Sequence, residues 1–186
     1  PVIVEREVPL STAAFGFPSL PQTHPDFAAL MVLNHIIGSG DFDSMLMHEI
    51  RVKRGLAYAV QTTMLNDRSG AIVLGGMSTK NETMGEALSV LRATLDRIVQ
   101  DGPSVDQLDT AKRFLIGSAL LDLDTNSALA TALLKQWAAG NGPDHLENRS
   151  AAIARVTLAD VRRVAREVFR QDRMIVAIVG RPQLKD

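Results

Sequence analysis

The sequence contains no cysteine. That excludes disulfides, thiolate zinc centres and cysteine nucleophiles, while fitting oxidising and reducing compartments equally well. Excess charge of either sign is also missing. Twenty basic residues against twenty-one acidic ones leave a net charge of -1, so no overall field steers the chain toward nucleic acid or anionic lipid, and neither is expected as a partner. No apolar run approaches the ~18 residues that a membrane-spanning helix needs. The opening P-V-I-V-E-R-E-V has neither a basic n-region nor an apolar h-region. The chain therefore reads as soluble, with periplasm and cytoplasm both open as its compartment. Its start at Pro1, directly in a strand-like segment, reads as a processed product or an excised domain.

Familiar catalytic signatures are absent as well. Zinc hydrolases need imidazoles spaced to share one helical face, with a carboxylate to activate water. Four residues after His24, His35, His48 and His145 come Ala28, Ser39, Val52 and Arg149, so neither H-E-x-x-H nor its inverse H-x-x-E-H is present. His35, His48 and Glu49 could meet only through tertiary folding, and no metal ligand set is assigned to them. There is no G-x-S-x-G elbow, and the clusters G-S-G and L-G-G-M lack the G-K-[ST] ending and the G-x-G-x-x-G pattern of phosphate cradles. No cofactor site is expected in this chain.

What is present is a globular composition, 46% hydrophobic and 22% charged over 186 residues, which suits one domain covering 1–186. Val2 to Val8 and Ser11 to Phe17 read as strands, the second ending in F-G-F-P. From Pro25, the residues Phe27, Leu30, Met31, Asn34 and Ile37 recur at helical spacing until G-S-G. Asp43 or Ser44 can cap a shorter helix ending near Gly55. A-Y-A-V-Q-T-T-M-L and A-I-V-L-G-G-M-S then read as a hairpin around N-D-R-S-G, with Gly70 at its end.

Thr79 with Glu82, Ser104 with Gln107 and Thr157 with Asp160 have capping-box spacing, and each predicts a helix start. Further helices are predicted from about Thr125 to Ala139 and from Leu158 to Phe169, and a last strand from Met174 to Val179. Met31, Met45, Met47, Met64, Met77 and Met84 read as core or interface filling. The whole is an α+β layer: a mostly antiparallel five-stranded sheet with helices packed on one face.

One stretch stands apart, E-I-R-V-K-R-G-L-A-Y-A-V from Glu49 to Val60. Its plainest reading is a solvated helix end, with Arg51, Lys53 and Arg54 complementing the dipole and Tyr58, the chain's one tyrosine, as an amphipathic strand residue. A sharper reading is geometric. If the helix ends at Gly55 and the chain doubles back into a strand, Arg51 and Tyr58 can face one space. They would then offer a guanidinium fork and a phenol hydroxyl to a carbonyl oxygen or carboxylate.

Those residues sit in a longer pattern. F-G-F-P, then H-P-D-F-A-A-L-M-V-L-N-H-I-I-G-S-G, then S-M-L-M-H-E-I-R-V-K-R-G-L-A-Y-A-V, and the closing I-V-A-I-V-G, resemble the second, metal-free homologous half of the pitrilysin, insulinase and mitochondrial processing peptidase family of zinc peptidases. The resemblance spans essentially the whole chain. It implies a half-domain of a processing-peptidase-like metallopeptidase, inactive by itself. Its partner would be a homologous H-x-x-E-H half, fused or separate, which would carry the zinc, in a dimeric association enclosing a peptide substrate.

The family's substrate-contacting arginine and tyrosine match Arg51 and Tyr58. The first is implied to hold a substrate carbonyl, the second to hydrogen-bond the carbonyl oxygen as it gains charge, with Gly55 permitting the turn between them. Met45 departs from the pattern, since S-R-L is commoner there. The resemblance leaves a second role open, that of a non-catalytic structural or peptide-binding subunit of a larger complex.

Overall fold

A computed structural model of the chain describes residues 1–67, 70–119, 124–138, 140–142 and 144–184. Strand β2 (Leu10–Pro18) shows why a sheet forms: Ser11, Ala13, Phe15 and Phe17 are buried on one face, while Thr12 and Ala14 face out. This period of two commits one side of the strand to a core. β4 (Gly70–Lys80) pairs with β2 on one edge and β3 (Val60–Asp67) on the other, both antiparallel. On the opposite edge of β2 lies β5 (Ile175–Gly180), also antiparallel, and β1 (Val2–Glu5) runs parallel to β5. The order is β1-β5-β2-β4-β3, the expected five-stranded, mostly antiparallel sheet.

Helices cover its buried face. α1 (Phe27–Asn34) continues as a wider π-type turn, His35–Ser39; α6 (Leu158–Val168) packs beside it, and α2 (Met84–Asp101) packs beside α6. α2 presents Met84, Leu88, Leu91, Leu95 and Ile98 and α6 presents Val161, Val164 and Val168, all buried at helical spacing. Phe17 and Phe169 meet in a tilted pair at 5.3 Å between centroids. Behind Phe15 the sheet needs a glycine: a Cβ at Gly75 would run into the Phe15 ring. On the far face, Leu65, Ile175 and Val179 remain exposed.

Three expectations are corrected. Thr79 does not cap a helix, because pairing with Ser11 keeps it in β4; α2 starts only after a short 3-10 turn, Asn81–Thr83, with no side-chain cap. An unforeseen helix, α5 (His145–Arg155), lies between α4 (Asn126–Ala138) and α6, where no element is expected. β1 stops at Glu5, where its partner β5 ends at Gly180. The other two capping boxes form as spaced, at the starts of α3 (Val105–Ser118) and α6. β3 and β4 are adjacent as expected, though Arg68 and Ser69 of the turn between them lie outside the described residues.

Candidate functional site

The segment joining α1 to β3 positions Arg51 and Tyr58. It begins with a single 3-10 turn, Asp41–Asp43, in which Asp41 has φ +47°, a left-handed conformation that aspartate tolerates better than most residues. Ser44 fastens this turn: its hydroxyl donates to the Asp41 carbonyl at 2.8 Å and accepts from the Met47 amide at 3.4 Å. Ser44, rather than Asp43, thus caps the helix that follows. That helix widens to π geometry over Met47–Val52 and closes at Gly55, whose φ is +62° and whose N–H donates to the Arg51 carbonyl. Tyr58 lies two residues before β3 begins and is 82% exposed.

Arg51 and Tyr58 do converge. The guanidinium carbon lies 4.5 Å from the centroid of the Tyr58 ring and 4.6 Å from that of Phe42, an aromatic absent from the expected site. Arg51 is therefore held between two exposed rings. Cation–π attraction at such sites contributes ~0.5–1 kcal/mol per contact. It is an attraction to the ring quadrupole and not a hydrogen bond from the guanidinium N–H donors. Among the described residues, those donors make no hydrogen bond and no ion pair. D-F-D following G-S-G marks Phe42 as exposed on a loop, but nothing local indicates that it reaches a side chain nine residues on.

Lys53 and Arg54 behave otherwise, which corrects the solvated reading. Both turn inward to Glu49, at 2.9 and 2.7 Å, and Arg97 of α2 reaches the same carboxylate at 3.1 Å. π geometry carries hydrogen bonds from i to i+5, so residues four and five beyond Glu49 both come to lie above it. The carboxylate is buried, yet hydrogen bonds from Lys53 and then Arg54, with help from Arg97, outweigh burial and hold its pKa at about 2. Arg54 also donates to the Glu49 carbonyl at 2.8 Å. This cluster ties the Arg51-bearing turn to α2.

No group of three or more metal-ligating side chains converges among the described residues. His35 is buried and stacks on Phe114, so the donors present do not fit a catalytic zinc. Of the six methionines read as filling, Met47, Met77 and Met84 are buried, and Met31, Met45 and Met64 pack partly buried against the core.

A mostly antiparallel five-stranded sheet backed by helices on one face is an architecture found elsewhere. Solved structures share it. A peptidase M16 inactive domain from Pseudomonas fluorescens superposes with a TM-score of 0.89 at 22% identity, over 100% of this chain and 44% of that one. A protease from Helicobacter pylori gives 0.87 at 20% identity, over 96% of this chain and 43% of that one. Residues 1–115 match the family described as peptidase M16 inactive domain, and the chain belongs to that family.

An uncharacterized zinc protease of Streptomyces coelicolor is 29% identical over 184 residues, which are 99% of this chain and 39% of that protein. A Helicobacter pylori protein named a non-peptidase homolog is 31% identical over 115 residues, 61% of this chain and 26% of its own length. The chain thus spans less than half the length of these relatives.

Proposed function

We propose that this chain is the non-zinc-binding half of a zinc metalloendopeptidase, pairing with a homologous H-x-x-E-H half, fused or separate, to enclose a peptide substrate. One observation carries the reading: Arg51 is fixed between two rings while its edge donors lack any partner among the described residues. In this role the fork donates to a peptide carbonyl. The Tyr58 hydroxyl donates to the carbonyl oxygen as negative charge develops on it, where a prepositioned donor contributes most. The zinc belongs to the other half, and these residues supply binding and charge stabilisation only.

The test is peptide turnover by the complete protein at equal zinc occupancy, comparing wild type with Tyr58→Phe and with Arg51→Ala. Each variant loses about 100-fold, the scale of a deleted oxyanion donor. Unaltered turnover in both would defeat the proposal. The Helicobacter relative's name favours a second reading, a non-catalytic structural or peptide-binding subunit. Wild-type protein that cleaves no peptide when complete would select it.

A further inference from the structure

Away from Arg51, a cavity of about 330 Å³ opens between the end of α1 and α3, at the small end of the ~300–1,000 Å³ range of ligand pockets. His35, Ile36 and Asp43 line one side, and Asp106, Thr110 and Phe114 the other. His35 is only 8% exposed, and its imidazole stacks on the Phe114 ring at 4.6 Å between centroids, with 22° between planes. Burial lowers its pKa, while Asp43 and Asp41 pull the other way; a ring so depressed is neutral at pH 7 and keeps one nitrogen as an acceptor.

That acceptor is unused, since His35 makes no side-chain hydrogen bond among the described residues. Beside it, Gly40 keeps the ring open: a Cβ there would lie 2.7 Å from the His35 carbonyl oxygen and 3.2 Å from Nε2.

The charged lining carries one sign. Asp43 and Asp106 are exposed carboxylates that make no ion pair among the described residues, and no lysine or arginine lines the cavity. The basic side chains of α3 bond elsewhere: Lys112 donates to the Val156 carbonyl, and Arg113 to the Asp109 carbonyl and the Thr110 hydroxyl. Two unpaired carboxylates, a buried acceptor and a ring face ask for the same ligand: a flat cation with several N–H donors. A bare metal ion is a poorer match, because no three ligating side chains converge among the described residues.

We propose that this cavity binds an alkylguanidinium, with Asp43 and Asp106 meeting its charge, His35 accepting one of its N–H groups and Phe114 offering a ring face. The site stands on its own geometry, independent of Arg51 and Tyr58. Calorimetric titration of the whole protein with Nα-acetyl-argininamide tests it, with Nα-acetyl-citrullinamide as the uncharged analogue of the same shape. The arginine compound binds saturably and the citrulline compound does not. Asp43→Asn and Asp106→Asn, both at exposed positions that tolerate the change, each weaken binding about three- to tenfold. Equal binding of the two compounds, no saturable binding up to ~10 mM, or unchanged affinity in both variants overturns the proposal.

Discussion

Arg51 and Arg54 leave the same helical turn three residues apart, and they meet opposite environments. Arg54 folds inward to a buried carboxylate that Lys53 and Arg97 also reach, whereas Arg51 leans outward between two exposed rings and touches no anion among the described residues. The difference lies in what each guanidinium presents. Arg54 spends N–H donors on Glu49, and those of Arg51 have no partner among the described residues. A basic cluster that reads as uniform in sequence thus divides into an anchor and a free fork. The anchor matters to the fork, because it fixes the turn from which Arg51 projects.

Removing the anchor should have the largest effect. The Glu49 carboxyl titrates at about 2 when folded against 4.5 ordinarily. Because the folded value is the lower one, ionised Glu49 contributes stability that is complete above pH 4.5 and is lost as pH falls from 4.5 toward 2. At 1.36 kcal/mol per pH unit the shift corresponds to about 3 kcal/mol, an upper figure since the three cations are half in water.

Urea unfolding at pH 7 should therefore find Glu49→Gln less stable by about 2–3 kcal/mol, with the gap from wild type closing by pH 2. A constant gap across that range would mean that the carboxylate's charge is not what it contributes.

Gly55→Ala comes next. No atom lies within 4 Å of the position a Cβ would take, so the cost is conformational, about 1 kcal/mol for forcing a side chain to φ +62°. Gly55→Asn should recover part of it. Equal losses in the two variants would point to a packing cause instead.

The smallest effect on stability is expected from Phe42→Leu, which removes one ring face from Arg51 and costs ~0.5 kcal/mol. Its informative readout is turnover of the complete protein, which should fall severalfold as the fork loses one of its two ring contacts while Tyr58 stays in place. If turnover is unchanged, Tyr58 alone suffices to orient Arg51.

Much of this arrangement is legible in the sequence where the signal is local. The alternation of β2, the stepwise apolar faces of α2 and α6, and the Ser104–Gln107 and Thr157–Asp160 boxes all form as spaced. Two of the failures, the Thr79 cap and the end of β1, share a cause, since each required knowing a partner far along the chain. Thr79 has the spacing of a cap, but Ser11 holds it in a strand from 68 positions away. The α5 sequence H-L-E-N-R-S-A-A-I-A-R fails for a local reason: about half of it is polar, and among its described side chains Ile153 is the fully buried apolar one, too little for a periodic signal.

Arg51 and Tyr58 could be picked out because a turn at Gly55 brings them together over a short span. Phe42 could not, because two turns intervene. Arg97, 48 residues from Glu49, completes the anchor from another helix altogether.

The position of β5 also has a consequence in time. It follows the other four described strands in the chain, lies between β1 and β2 and, among the described residues, is the only strand paired with β1. Until residue 180 has left the ribosome, β1 lacks this neighbour and the inner edge of β2 stays open, a template for unwanted pairing. The sheet can close only after translation has passed Gly180, so a chain stalled or truncated before Ile175 would carry two unsatisfied strand edges that the finished chain conceals.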